Sequence, residues 1–597
     1  MHNHLKALSC CFILLAGCSD DKKPTVSKND HVNNVVDQLL SQKTASKPKY
    51  SEITPDFLEQ NWNQETRMEW WYTSQGSRLL PYAWFLALEQ ADSEALLSSK
   101  EHLQQYRFIA GTPDKNLNPD NLPIGFVADK DANESRYLGF TCAACHTGKI
   151  AYKGKEYIVE GAPAHHDFDR FITEVSTSLQ KTTEHSDKFS RFASRVLGAK
   201  ASPDDLAALK ALLSQENDKL GQRVKINHPP YENGYARLDA FGNIFNEVAV
   251  IALNEPSNAI PANKTAEVNA PVSYPMLWDT PQHDVVQWNG AAVNAGIGSY
   301  VRNASEVVGV FGNLSIQKTQ TGESTEIGFR NHINFKNVGR LEELLTTLWS
   351  PLWPNTLPAI DPIKAQQGKL LFESQCISCH HDIKRDDPLR KVMAKMIPVT
   401  EIGTDPKTAM NIAERSSVTG ILEGQPVLPL SQFVPNLPNF GKTAPTAELV
   451  VYAVMGSLRD DLDPHTFGAG LPTFLDAAKK STLIENCDPK QQGDKCNRPA
   501  SYKARPLNGI WASAPYFHNG SVPNLWELLQ KPEQRVRTFN VGSWEFDPVN
   551  VGFVSNEEQD TSKFDTTIEG NANTGHLYGS DLSVSDKWLL IEYLKTL

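Results

Sequence analysis

Two five-residue stretches constrain this chain more than anything else in it: Cys142-Ala143-Ala144-Cys145-His146 and Cys376-Ile377-Ser378-Cys379-His380. Each reads Cys-x-x-Cys-His. Two thiols at that spacing reach the two vinyl groups of one porphyrin, and the adjacent histidine then lies under the iron. Zinc also uses Cys-x-x-Cys, but a structural zinc site needs a second Cys or His pair close by, and neither motif has one. The pattern predicts two covalently bound haem c groups. Cys142, Cys145, Cys376 and Cys379 are then the attachment points, with His146 and His380 as iron ligands. Two copies of the motif also suggest a loose duplication of a haem-binding fold.

The chain has 597 residues, beyond the size at which one hydrophobic core stops growing, so two or more domains are expected. An apolar content of 40% and a charged content of 21% fit a soluble globular protein. The net charge of -12 and the lack of any dense Lys/Arg cluster argue against a nucleic-acid partner. A basic redox partner is compatible with that charge.

The N-terminus carries Lys6, then an apolar run from Ala7 to Ala16 that is too short to span a bilayer. It ends in Leu15-Ala16-Gly17-Cys18, which resembles a bacterial lipobox; an ordinary secretory signal is the alternative. On the lipobox reading residues 1–17 are the signal and Cys18 takes the lipid, which anchors the protein stably. Ser19 in place of Asp resembles sorting to the outer membrane, so the protein is expected to face the periplasm or the cell surface. No later segment has the length and apolarity of a transmembrane helix, so contact with the membrane runs through the lipid alone. In an oxidising compartment Cys487 and Cys496, which bracket a polar loop, predict a structural disulfide, with a free pair as the alternative.

Residues 18–55 are polar, without sustained apolar period, and read as a flexible tether. Residues 56–355 form the expected N-terminal haem domain, with long loop insertions, and residues 356–597 a C-terminal cytochrome c domain. Pro351, Pro354, Pro358 and Pro362 mark the boundary. Helical periodicity is clear over Phe168–Leu179, Asp204–Leu213, Arg340–Trp349, Ile363–Phe372 and Ser583–Leu597. In the last of these Ser583 is a candidate N-cap with Asp586 at the N3 position. The stretch from Asn227 to Leu357 is rich in Gly, Pro and Asn and reads as irregular. The expected fold class is therefore mainly α, two cytochrome c-like haem domains with long irregular loops and little β.

Each iron has a sixth position to fill. The seven methionines are residues 1, 68, 276, 393, 396, 410 and 455, so a ligand from the C-terminal end of the second haem domain cannot be Met. The histidines available there are His465, His518 and His576.

The stretches TCAACHTG (141–148), LWDTPQHDVVQWNG (277–290), VRNASEVVGVFG (301–312), CISCH (376–380), APYFHNGSVPNL (514–525) and NTGHLYG (573–579) together resemble the RoxA-like diheme cytochromes. That branch of the bacterial diheme peroxidase superfamily includes rubber oxygenases and diheme oleate oxygenases. The resemblance runs from about Trp70 to Leu597. It implies that His576, near the place where diheme peroxidases often carry a Met ligand, pairs with His380 on a low-spin, electron-holding haem. It places His518 in hydrogen bonding near a haem propionate. It makes the haem of His146 the reactive one, with an open or labile face. A calcium ion between the domains occurs in related peroxidases, but no ligand set here requires one.

Other residues carry weaker signals. His165 and His166 follow the first motif and either approach its haem or form a polar surface pair. Trp278 and Trp288 are candidates for packing near the haems or relaying electrons, against an ordinary core role. Arg302 and Glu306, four apart, suggest an ion pair, under a propionate or simply solvated on a helix. His381 reads as a mere neighbour of His380.

Three functions fit. The favoured one is oxygenation of an apolar unsaturated substrate by dioxygen at the first haem. The second is reduction of hydrogen peroxide with electrons from a small periplasmic donor, which requires a polar acid–base group near that haem. The third is electron transfer alone.

Overall fold

The computed structural model describes residues 55–259, 267–321, 324–430, 434, 436–480, 500–556 and 561–597. Cys18 with its signal and the tether up to residue 54, and the Cys487/Cys496 pair, lie outside the described residues. Among the described residues no helix is long and apolar enough to cross a membrane.

The expectation of a mainly α protein with little β is overturned. The chain is 40% helix and 17% strand, a mixed α/β fold built from many small sheets. The strands are short and pair two or three at a time, so none of them leaves a long alternating pattern in the sequence.

Helix α1 (Gln64–Tyr72) sets the aromatic cluster Trp70 and Trp71 into the core, both essentially inaccessible. Strands β1 (Phe126–Lys130) and β2 (Arg136–Phe140) form an antiparallel pair that delivers the chain to α2 (Cys142–Cys145), a single helical turn. A tight hairpin follows, β3 (Thr147–Tyr152) with β4 (Lys155–Glu160). Three helices then pack as a layer: α3 (Phe168–Glu184), α4 (Ser186–Leu197) and α5 (Pro203–Ile226). The last is longer than the periodicity suggested. Its start is fixed by Pro at the first turn and a capping box between Ser202 and Asp205.

The Gly-, Pro- and Asn-rich stretch read as irregular is largely structured. It contains α6 (Ala240–Asn246), α7 (Gly298–Gly309), the hairpin β5 (Ser315–Thr321) with β6 (Ser324–Arg330), and α8 (Phe335–Leu345). Beyond the prolines, α9 (Pro362–Gln375) leads to the second motif. Strand β7 (Lys395–Pro398) pairs with β8 (Ser501–Ala504), Met396 opposite Lys503. Between them in sequence, α10 (Thr446–Asp461) is buried along most of its length. The chain closes with α11 (Val584–Leu594), capped by Ser583, whose side chain accepts from the Asp586 amide as expected. Helices α9 and α11 cross closely because Gly368 abuts the Leu589 carbonyl, where any side chain would collide.

Three large apolar clusters hold the molecule together. One gathers residues from Leu79 to Phe311, one from Ile244 to Ala478, and one from Leu58 to Leu594. The last two draw on both sides of the Pro351–Pro362 run.

Candidate functional site

The first motif is one helical turn, so Cys142 and Cys145 share a face while Ala143 and Ala144 turn into the core. His146 follows immediately. Its Nδ1 donates to the Pro275 carbonyl at 2.9 Å, which fixes the tautomer and leaves Nε2 free to ligate. Burial lowers its pKa to about 4, so the ring is neutral, the form a metal takes. Both thiols face a cavity of about 150 Å³. It lies where the three apolar clusters meet: Phe140, Phe168 and Leu238 come from one, Ile244 from the second, Met276 and Leu345 from the third.

The second motif begins where α9 ends, with Cys376 as its C-cap. His380 repeats the arrangement, its Nδ1 donating to the Arg505 carbonyl at 2.7 Å. The cavity beside it measures about 190 Å³. His576 faces His380 there, with ring centres 6.3 Å apart. Two imidazoles that share one iron, each with a metal–nitrogen bond of about 2 Å, have ring centres about 6 Å apart. His576 is held in the left-handed region, at φ 50°, an uncommon backbone state for a residue with a side chain. Its amide donates to the Ile402 carbonyl. Phe517 and Tyr578 pack against the ring at 5.8 and 5.4 Å. Burial lowers its pKa to about 3, so this ring too is neutral. Paired thiols, neutral imidazoles and an apolar chamber fit a haem c at each motif.

Met276, Trp288, Lys503 and Arg505 line both cavities and form the partition between them. Trp288 is anchored by its indole N–H, which donates to the Ser273 carbonyl at 2.7 Å. Trp278 is elsewhere. It is fully buried and donates to the Asn508 carbonyl at 2.8 Å, beside an Asp279 carboxylate held by Arg390 and Asn508. That part of LWDTPQHD is scaffold. His518 lines the second cavity, stacked on Tyr502 with ring centres 4.0 Å apart. Its Nε2 is buried without a partner.

His165 and His166 are not a surface pair, for both are buried. His166 stacks on Phe108 and His165 meets Phe553 edge-on, and neither lines either cavity. His381 is exposed. Arg302 pairs with Glu342 rather than with Glu306, because α8 brings that carboxylate alongside α7. Glu306 instead accepts a 2.6 Å hydrogen bond from the Gln287 amide. Both line the first cavity, and burial pushes the Glu306 carboxyl above the usual carboxylate range. Sequence reasoning missed this pair, because Gln287 and Glu306 lie on different elements and no spacing rule joins them. Among the described residues, no group of three or more His, Cys, Asp or Glu side chains is placed to hold a metal ion.

A family model described as RoxA-like, cytochrome c-like matches residues 501–540, which hold β8, Arg505 and His518. The uncharacterized protein y4iJ of Sinorhizobium fredii is 30% identical over 609 aligned residues, covering 92% of this chain and 94% of that protein. A second uncharacterized protein of that organism, y4iM, is 26% identical over 346 residues, covering 54% of this chain and 63% of its own. This chain therefore belongs to one family with y4iJ, and residues 501–540 carry a RoxA-like, cytochrome c-like domain, which implies covalently bound haem c.

Proposed function

We propose that the chain binds two haem c groups, one per cavity, and reduces hydrogen peroxide at the first while the second receives electrons from a small soluble donor protein. The observation that carries this reading is the Gln287–Glu306 pair. It sets a carboxyl with a raised pKa in the cavity that has one histidine ligand, and no carboxylate lines the cavity that has two. When bound, the haem of the first cavity supplies the site at which peroxide is held and reduced. Glu306 holds the proton that the departing oxygen needs, and the Gln287 amide fixes the carboxyl. Arg302, tied to Glu342 and Asn294, holds positive charge beside them. Cleaving the O–O bond takes two electrons and two protons and yields two waters, so a reduced donor is part of the reaction.

A second reading draws on the other wall of the same cavity. Phe140, Phe168, Leu238, Phe241 and Ile244 suit an apolar unsaturated substrate, which dioxygen would attack. Stopped-flow mixing of purified protein with peroxide and reduced cytochrome c, beside oxygen uptake with oleate or polyisoprene, separates the two. Donor oxidation without oxygen uptake supports peroxide reduction. Oxygen uptake with the unsaturated substrate alone overturns it, and inertness toward both leaves electron transfer as the function. A pyridine haemochrome assay giving one haem per chain would refute the two-haem reading.

We also propose export with a lipid on Cys18, toward the outer membrane, and a disulfide between Cys487 and Cys496. A C18S variant should be released from the membrane fraction. Thiol alkylation before reduction should leave Cys487 and Cys496 unmodified.

A further inference from the structure

The partition between the two cavities gathers basic side chains that the protein around them leaves unpaired, and burial, with Arg505 nearby, holds the Lys503 amine well below the usual lysine range until an anion joins it. Lys503 sits on β8, its amide donating to the Trp288 carbonyl at 2.8 Å. Its ammonium makes a hydrogen bond to the Val285 carbonyl at 3.2 Å, and among the described residues no carboxylate lies within ion-pair distance. Asp284 is close enough to be felt, but one of its oxygens is committed to the Val285 and Ala394 amides. Two more cations, Arg505 and Arg302, are near enough to repel Lys503. Arg505 spends its two terminal nitrogens on the Met276 and Trp278 carbonyls and leaves Nε buried without a partner. His283, also buried, is close enough to feel Lys503 and Arg505 and has no partner on either ring nitrogen.

Buried cations and donors left unpaired are costly unless an anion completes them. Lys503 and Arg505 both line both cavities, so the missing anion enters with the occupants. A haem tied by thioethers at one edge presents two carboxylates at the other. We propose that Lys503 is a positioning residue that binds haem propionate at the partition and holds the reduction potential of the haem, or haems, it touches above the value the cavity alone would give. Paired with a propionate the Lys503 amine keeps its proton, and that positive charge beside the macrocycle favours the form with one more electron, unscreened by solvent. This inference rests on the reading of one haem per cavity.

The test uses the full holo-protein and its K503Q and K503R variants, with haem content and redox titration measured on each. K503Q should retain two haems and lower at least one midpoint. A tenfold drop in the reduced-to-oxidised ratio at the wild-type midpoint, about 59 mV for a one-electron couple, is the size to look for. K503R should restore most of it. Two haems with both midpoints unchanged in K503Q overturns the proposal. One haem per wild-type chain defeats the two-haem reading instead, and the midpoint of that haem still answers for Lys503. If K503Q does not accumulate, resonance Raman spectra of wild type and K503R decide. Propionate bending modes at hydrogen-bonded positions are expected, and modes typical of free, solvated carboxylates overturn the assignment.

Discussion

The two cavities are built on the same five-residue pattern and differ in what stands across from it. Around Cys376, Cys379 and His380 the opposing group is a second neutral imidazole, His576, and no carboxylate lines the chamber. Around Cys142, Cys145 and His146 the chamber holds an amide, a carboxyl and a guanidinium, Gln287, Glu306 and Arg302. The motif secures a cofactor, and the walls decide its chemistry. On the proposed reading the site closed by two histidines holds electrons. A site with one histidine and a proton source can act on an incoming molecule.

The largest expected effect breaks the closed side. His576→Ala removes one of the two facing imidazoles, so the low-spin signal of that site should become high-spin in visible and electron paramagnetic resonance spectra, and the signal of the other site should not change. A low-spin signal that survives the change would remove the distinction between the cavities. Next is the open side. Glu306→Gln keeps the shape and the contact to Gln287 but loses the proton, and should slow the peroxide reaction by about 10²- to 10⁴-fold. Haem content and the spectrum of the other site should hold. An equal loss in electron uptake by the closed site from the reduced donor, measured without peroxide, would show that Glu306 supports the fold rather than the chemistry.

Local motifs singled out Cys142, Cys145, His146, Cys376, Cys379 and His380, and the resemblance singled out His576 among the histidines left by the Met count; the structure sets His576 opposite His380. The sequence also carried the cap of the last helix. It did not carry the Gln287–Glu306 pair, the Lys503–Arg505 partition or the switch of Arg302 to Glu342, all of which join residues on separate elements. The error over β content has a related cause. Strands such as Lys395–Pro398 with Ser501–Ala504 are four residues long and find their partners about a hundred positions away, so no period betrays them. His165 and His166 read either as neighbours of the first haem or as a surface pair, for want of any local signal that Phe108 and Phe553 would cover them.

A smaller effect concerns the scaffold of the first cavity. Glu160 ends β4 and is fully buried, hydrogen-bonded by the Trp71 indole at 3.1 Å and 3.5 Å from Arg67. Desolvation outweighs both partners and raises its pKa to about 7 from 4.5. Below 4.5 the folded and unfolded chains both hold this proton. Between 4.5 and about 7 the folded chain keeps it and the unfolded chain releases it, so this group's contribution to stability falls as pH rises through that window and is level above it. Glu160→Gln should remove that slope, a difference of about 1–3 kcal/mol, seen as a flatter dependence of Tm on pH. A variant with the wild-type slope would assign the effect elsewhere, with Asp169, also raised to about 7 by burial, as the next group to test.

The smallest effect probes the wall the two cavities share. Trp288→Phe keeps an aromatic ring at the partition but loses the indole donor to the Ser273 carbonyl, which should cost about 1 kcal/mol in denaturant unfolding. The Lys503 amide bonds to the backbone of residue 288, so that contact survives the change. If the indole also carries electrons, reducing equivalents delivered to the His380 site should reach the His146 site more slowly in rapid-mixing experiments, with both resting spectra unaltered. A stability loss with unchanged transfer would make Trp288 a packing residue only. The two cavities would then communicate through the cofactors and the charge on Lys503, with no aromatic bridge between them.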